Sequence, residues 1–277
     1  MASDGLNPSR AFTATSPSKC SSEEWKFLRP RVLQSLILLG TVHNDPAGFR
    51  ELGRFLRSYE PDCVFVELSP YGLRFRLRHR RTLQRTLMGN LREACAQVRV
   101  SWQDAMRHPE IVSIRRQIAL PSEYRAATRY AAQTGSKIFP IDYSLFSRKW
   151  LASWPELLSP KNLAILLSLP PNPRSVSHLY DFAAVAMARV APGSPENTAF
   201  HASHTDPLWA ERELHMAKAI IRLCEIFSPR KPVYLGGWRH LTPGADFPRL
   251  RDILTIPPAR CLLLDRWEAS QQLHGTK

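Results

Sequence analysis

The chain has 277 residues, 44% hydrophobic and 22% charged, which is too apolar for a disordered polyelectrolyte and enough for one large core or two modest ones. Lysine and arginine number 38 against 24 acidic residues, so the formal net charge is +14 and an anionic partner, nucleic acid or membrane surface, has to be weighed from the start. The longest apolar runs, Leu33 to Leu39 and Leu163 to Leu169, fall well short of the roughly 18–20 residues that cross a bilayer. Met1 to Cys20 contains no apolar core of a secretory signal, so residues 1–30 read as a flexible lead-in and 271–277 as a tail. Cys20, Cys63, Cys95, Cys224 and Cys261 are scattered and never form a C-x-x-C pair. This argues against a disulfide framework and a thiolate zinc site, and points to a reducing cytoplasm.

In chain order, the aliphatic run Leu36 to Leu39 ends in Gly40-Thr41-Val42-His43 and predicts strand 1. Asp45 and Pro46 then suit an N-cap and first turn, and Phe49, Leu52, Phe55 and Leu56 recur at helical spacing. Cys63 to Val66 has no polar alternation, as expected of a strand covered on both faces of a parallel sheet, and it ends at Glu67. Residues 71–116 are arginine-rich and read as helices. Pro121-Ser122-Glu123 opens a further helix that Gly135 closes, and Lys137 to Asp142 predicts strand 3, placed at an edge or bulge by Pro140. Proline-rich turns divide residues 144–204 into short helices, read as an inserted helical cap. Asp206-Pro207 then opens what reads as the longest helix, with Leu208, Leu214, Ala217, Ile220, Ile221, Cys224 and Phe227 on one face and Pro229 ending it. Val233 to Leu235 and Cys261 to Leu264 give two more strands. The alternation predicts an α/β domain over residues 31–270, with a mainly parallel sheet flanked by helices.

His43, Glu67, Asp142 and His240 each fall at the carboxyl end of a predicted strand, the edge where open α/β sheets bind ligands. Two imidazoles and a carboxylate there have the donor types to hold a divalent metal and activate a water. Gly40 and Gly237 stand three residues before the histidines, where a missing side chain permits a sharp turn and close approach. No phosphate loop, G-x-G-x-x-G or G-x-S-x-G motif is present, which disfavours nucleotide hydrolysis and serine hydrolase chemistry.

Taken together, several stretches resemble the successive motifs of the TraB/PrgY/GumN and Tiki family over roughly residues 35–265. They are Leu39 to His43, Pro61 to Leu68, Ser122 to Ala127, Asp142, Glu211-Arg212 with Met216-Ala217, and Gly237-Trp238-Arg239-His240. The resemblance implies an erythromycin-esterase-like and ChaN-like fold. It makes His43, Glu67 and His240 the proposed site, with Glu211, Arg212 and Asp142 supporting it. It also implies metal-dependent proteolysis, as in animal Tiki members; the expected cofactor is a divalent ion such as Mn²⁺, Co²⁺ or Zn²⁺. The chain departs from that pattern in the bulky Trp238 and Arg239, expected to crowd the pocket, in Tyr143 where an arginine is frequent, and in Pro70-Tyr71-Gly72, which stand before Arg74.

Other signals are weaker. His201 and His204 have the spacing of one helical turn but lie in a stretch that reads as a solvated loop. Arg74, Arg76, Arg78, Arg80 and Arg81 suit a solvated helix face or an anionic surface. Three readings follow: a metal-dependent hydrolase of a peptide or other amide or ester; a non-catalytic protein binding an acidic protein, membrane or nucleic acid through its arginine-rich helices; and a metal-free esterase-like hydrolase with a histidine as general base.

Overall fold

Five short runs form one sheet: β1 (Ile37–Thr41), β2 (Cys63–Val66), β3 (Lys137–Pro140), β4 (Pro232–Gly237) and β5 (Cys261–Leu263). The computed structural model describes residues 31–170, 175–188, 207–244 and 246–268; the expected lead-in over 1–30, the tail, His201, His204 and Asp206 lie outside them. All pairings are parallel and the strand order is β3-β2-β4-β1-β5, so the α/β expectation holds with the sheet wholly parallel. Pro140 sits in an outermost strand, as a residue without a backbone N–H requires.

The uniformly apolar strands follow from cover on both faces. Leu39, Val64, Val66, Val233 and Leu235 point to one core and Leu38, Cys63, Phe65 and Tyr234 to the other. The first face carries α1 (Gly48–Tyr59) and α5 (Ser122–Thr134), which pack on each other and bury Leu52, Phe55, Leu56, Ala126 and Ala127. Leu52, Phe55 and Leu56 each contribute about 1.5–3 kcal/mol by leaving water. The second face carries α10 (Leu208–Phe227) and α11 (Leu250–Leu254), through Met216, Ala217, Ile220, Cys224, Leu250 and Leu254. Leu214 and Phe227, expected on the buried face of α10, are instead 40% and 38% exposed.

Among the described residues the longest helix is not α10 but α2 (Pro70–Val98), whose 29 residues exceed the 20 of α10. Ser69 caps it by accepting the Gly72 N–H, and Pro70 occupies its first turn. A third core gathers Leu87, Leu91, Ala94 and Cys95 of α2 with α3 (Trp102–Arg107), α4 (Pro109–Ile118), α6 (Ser144–Ala152), α7 (Trp154–Leu157) and α8 (Pro160–Ser168). The helical layer therefore draws on two stretches of chain and not on 144–204 alone. Within that range α9 (Val176–Ala188) leaves it and lays Tyr180 and Ala183 on the sheet.

One boundary differs for a local reason. Helix α1 starts at Gly48, because Asp45 folds back to accept the Ala47 N–H at 2.8 Å and Asn44 takes the left-handed conformation at φ 67°. Cys63, Cys95, Cys224 and Cys261 are free and buried. Among the described residues no helix is long and apolar enough to cross a membrane.

Candidate functional site

Strands β3, β2, β4 and β1 are neighbours, so their carboxyl ends bring Asp142, Glu67, Gly237 with His240, and His43 onto one edge of the sheet. Glu67 is the hub. Its Oε1 meets Arg212 Nη2 and lies 3.0 Å from His240 Nε2; its Oε2 accepts the Gly237 N–H and lies 3.7 Å from His43 Nε2. Arg212, at the start of α10, also forks onto Asp142, with Nε to Oδ1 at 2.6 Å and Nη2 to Oδ2 at 3.0 Å. Burial alone would raise the Glu67 pKa, but the His240 and Arg212 charges hold it well below the usual carboxylate range.

His240 is 3% exposed. Its Nδ1 lies 2.7 Å from Glu213 Oε1 and its Nε2 faces Glu67, so both ring nitrogens have carboxylate acceptors and the ring is an imidazolium. Burial opposes the charge, but Glu213 and Glu67 outweigh it and raise the pKa from 6.5 to about 9. A folded-state pKa above the unfolded value stabilises fully below the unfolded value, and that contribution disappears as pH rises through the folded one. Urea-unfolding free energy is therefore expected to fall between pH 6.5 and about 9, by at most about 1.4 kcal/mol per pH unit, and His240→Gln should flatten that slope. An equally steep slope in the variant would assign it elsewhere.

His43 differs from the rest of the network in facing open space, with its side chain 58% exposed. Its Nδ1 lies 3.6 Å from Glu123 Oε1 and its Nε2 3.7 Å from Glu67 Oε2. Glu123 is itself fixed by the Thr41 hydroxyl at 2.6 Å and the Ser122 hydroxyl at 3.1 Å. The protein walls around His43 oppose protonation, but the adjacent carboxylates of Glu123 and Glu67 raise its pKa above 6.5. Gly237 makes the approach possible, since a Cβ there would stand 2.8 Å from His43 Nε2. Gly40 does the same for packing: its missing Cβ would meet Trp238 Cα at 2.9 Å.

His43, Glu67 and His240 meet, yet their donor chemistry does not fit a metal centre. Both nitrogens of His240 point at carboxylates, both Glu67 oxygens already accept hydrogen bonds, and His43 is held between two acids. Among the described residues no group of three or more His, Cys, Asp or Glu side chains is arranged to hold a metal.

The site opens into a cavity of about 590 Å³. Neither Trp238 nor Arg239 lines it, so the expected crowding does not occur; Trp238 packs edge-on against Phe182 at 5.8 Å, clear of the cavity. Glu211 does not join the site either, being exposed on the first turn of α10, while Glu213 reaches His240 and accepts the Leu250 N–H at 2.8 Å. Of the arginines expected to form one surface, Arg76 lines the cavity, whereas Arg74, Arg78, Arg80 and Arg81 are exposed on α2. Sequence reasoning missed Glu123 and Glu213 as partners of the histidines. It also missed Tyr180, whose hydroxyl accepts the Val42 N–H and donates to Asp45, both at 3.3 Å, and so anchors the segment carrying His43. Comparison of the chain with protein-family models, with curated proteins and with solved structures yields no match.

Proposed function

We propose that this chain is a hydrolase of amide or ester bonds in which His43 takes a proton from the attacking water, with no metal ion held by Glu67 and His240. The observation that carries the reading is the contrast within one network. Glu67, Asp142, Arg212, Glu213 and His240 are buried and mutually satisfied, while His43 alone of the two motif histidines presents its side chain to a large cavity. A general base needs that access, a fixed orientation, and a neighbour that stabilises the imidazolium formed as the proton arrives. Glu123 supplies the last two from behind, and Glu67 adds its charge from the strand edge. The buried network then acts as scaffold: Arg212 and His240 keep Glu67 ionised and in place. The resemblance to the TraB and Tiki motifs supports hydrolysis as the reaction class, whereas the donor arrangement favours its metal-free form.

The test is hydrolysis of a panel of chromogenic acyl esters and quenched peptides before and after exhaustive chelation. Turnover that survives chelation is expected. Turnover lost on chelation and restored by Mn²⁺, Co²⁺ or Zn²⁺ would return the site to the metal-dependent reading. No turnover of any member would overturn the proposal in favour of anion binding through the exposed arginines of α2.

A further inference from the structure

We infer that Arg76 of α2, with Arg116 of α4 lining the same cavity, seats an anionic group of the substrate, a carboxylate or phosphate carried on an apolar or aromatic body. The inference deepens the hydrolase reading and rests on it for the reaction, though not for the binding.

Four arginines line the cavity, and they are not equivalent. Arg212 is neutralised by Glu67 and Asp142. Arg76 is half-buried and forms no ion pair among the described residues: its Nε donates to the Gln117 carbonyl at 3.2 Å and its Nη1 to the Gly72 carbonyl at 3.4 Å, leaving Nη2 without a partner among them. These two carbonyls hold the guanidinium in place without cancelling its charge. Burial lowers its pKa and the nearby Asp142 charge only partly opposes this, the condition of a cation lacking a counter-ion.

Arg116 is tied to the residue next to the proposed base, its Nη1 donating to the Asn44 carbonyl at 2.6 Å. The Gln117 carbonyl that orients Arg76 follows Arg116 directly in the chain. Arg125 adds a third cation at the rim, stacked over the Phe49 ring at 4.8 Å.

Among the described residues none of the carboxylates sharing the cavity forms an ion pair with Arg76, Arg116 or Arg125. Glu67 and Asp142 are paired with Arg212, Glu123 with His43 and the Thr41 hydroxyl, and Asp45 accepts from the Ala47 N–H and the Tyr180 hydroxyl. Phe146, Trp150 and Trp209 supply apolar and aromatic wall for the body of the ligand. A forked guanidinium suits a carboxylate or a phosphate equally, and a cavity of about 590 Å³ lies in the range of small-molecule sites.

Calorimetric titration of the full chain at low salt with N-benzoylglycine, phenyl phosphate and the neutral N-benzoylglycinamide tests this. At least one anionic probe is expected to bind and the neutral one to bind at least tenfold more weakly, the two anionic arms deciding between carboxylate and phosphate. Arg76→Gln should weaken anion binding at least tenfold, Arg76→Lys should restore part of it, and Arg74→Gln, on the exposed face, should leave it unchanged. Arg116→Gln serves as the second variant should Arg76→Gln fail to fold. Equal binding of the neutral probe, no binding of either anion at millimolar concentration, or undiminished binding in both the Arg76 and Arg116 variants would overturn the inference. Anion binding in a chain that hydrolyses nothing would remove the hydrolase reading and keep this one; hydrolysis without preference for charge would do the reverse.

Discussion

His43→Ala is expected to lower kcat/KM for the best substrate by about 10²–10⁴-fold, the range a positioned general base contributes, with little change in the unfolding midpoint. The separation of the two effects follows from placement. The imidazole is 58% exposed and fills no core, so its removal opens no buried cavity. Its carboxylate partners stay satisfied, Glu67 by Arg212, His240 and the Gly237 N–H, and Glu123 by the Thr41 and Ser122 hydroxyls. The pH profile carries a finer check. A base works unprotonated, so kcat/KM should rise with pH along a limb centred above 6.5, because the native pKa of His43 is raised. Glu123→Gln removes one of the two anions that raise it and should move the limb to lower pH. Unchanged kcat/KM in the alanine variant would show that another group does the chemistry.

Arg212→Met should cost the fold about 3–5 kcal/mol in urea unfolding, the largest loss among single substitutions at the site. The side chain is 8% exposed and holds two carboxylates, Glu67 and Asp142, that are 5% and 8% exposed. Methionine replaces the aliphatic stem but leaves Asp142 without its cation and Glu67 with His240 alone, in a setting where water cannot replace the lost charge. The guanidinium also lies 4.6 Å over the Phe146 ring and 5.3 Å over the Trp209 ring, a contact that the uncharged thioether loses. Arg212→Lys should recover only part, since an ammonium cannot fork onto Asp142 while reaching Glu67. A loss below about 1 kcal/mol would mean that the network relaxes around the missing charge.

The sheet was readable because strands covered on both faces leave unbroken apolar runs, and Pro140 marks β3 as an edge by chemistry alone. His43, Glu67, Asp142 and His240 were readable because each ends such a run. Their partners were not. Glu123 and Glu213 lie in helices whose local pattern treats a buried carboxylate and a solvated one alike, and burial of both depends on strands distant in sequence. Glu211 shows the same limit. It stands two residues before Glu213, and about 200° of helical rotation puts the two on opposite sides, a distinction that adjacency in a motif does not carry. The length of α2 was hidden because its first half presents Arg74, Arg78 and Arg81 to solvent, and its buried series begins only at Leu87.

The position of β4 sets an order of assembly. It pairs with β2 on one side and β1 on the other, yet it is contributed by residues 232–237, long after both have been synthesised. Until it emerges, β1 and the β2–β3 pair have no partner for their inner edges, and a ribosome-bound chain carries two open strands in need of protection from other chains. Arg212 reaches Glu67 and Asp142 only from α10, which directly precedes β4. The buried charges and the pairings that join β2 to β1 thus close together, and β5 adds the outer edge beside β1 only afterwards, so a chain that ends before α10 lacks the cation for Glu67 and Asp142 and leaves the sheet in two parts.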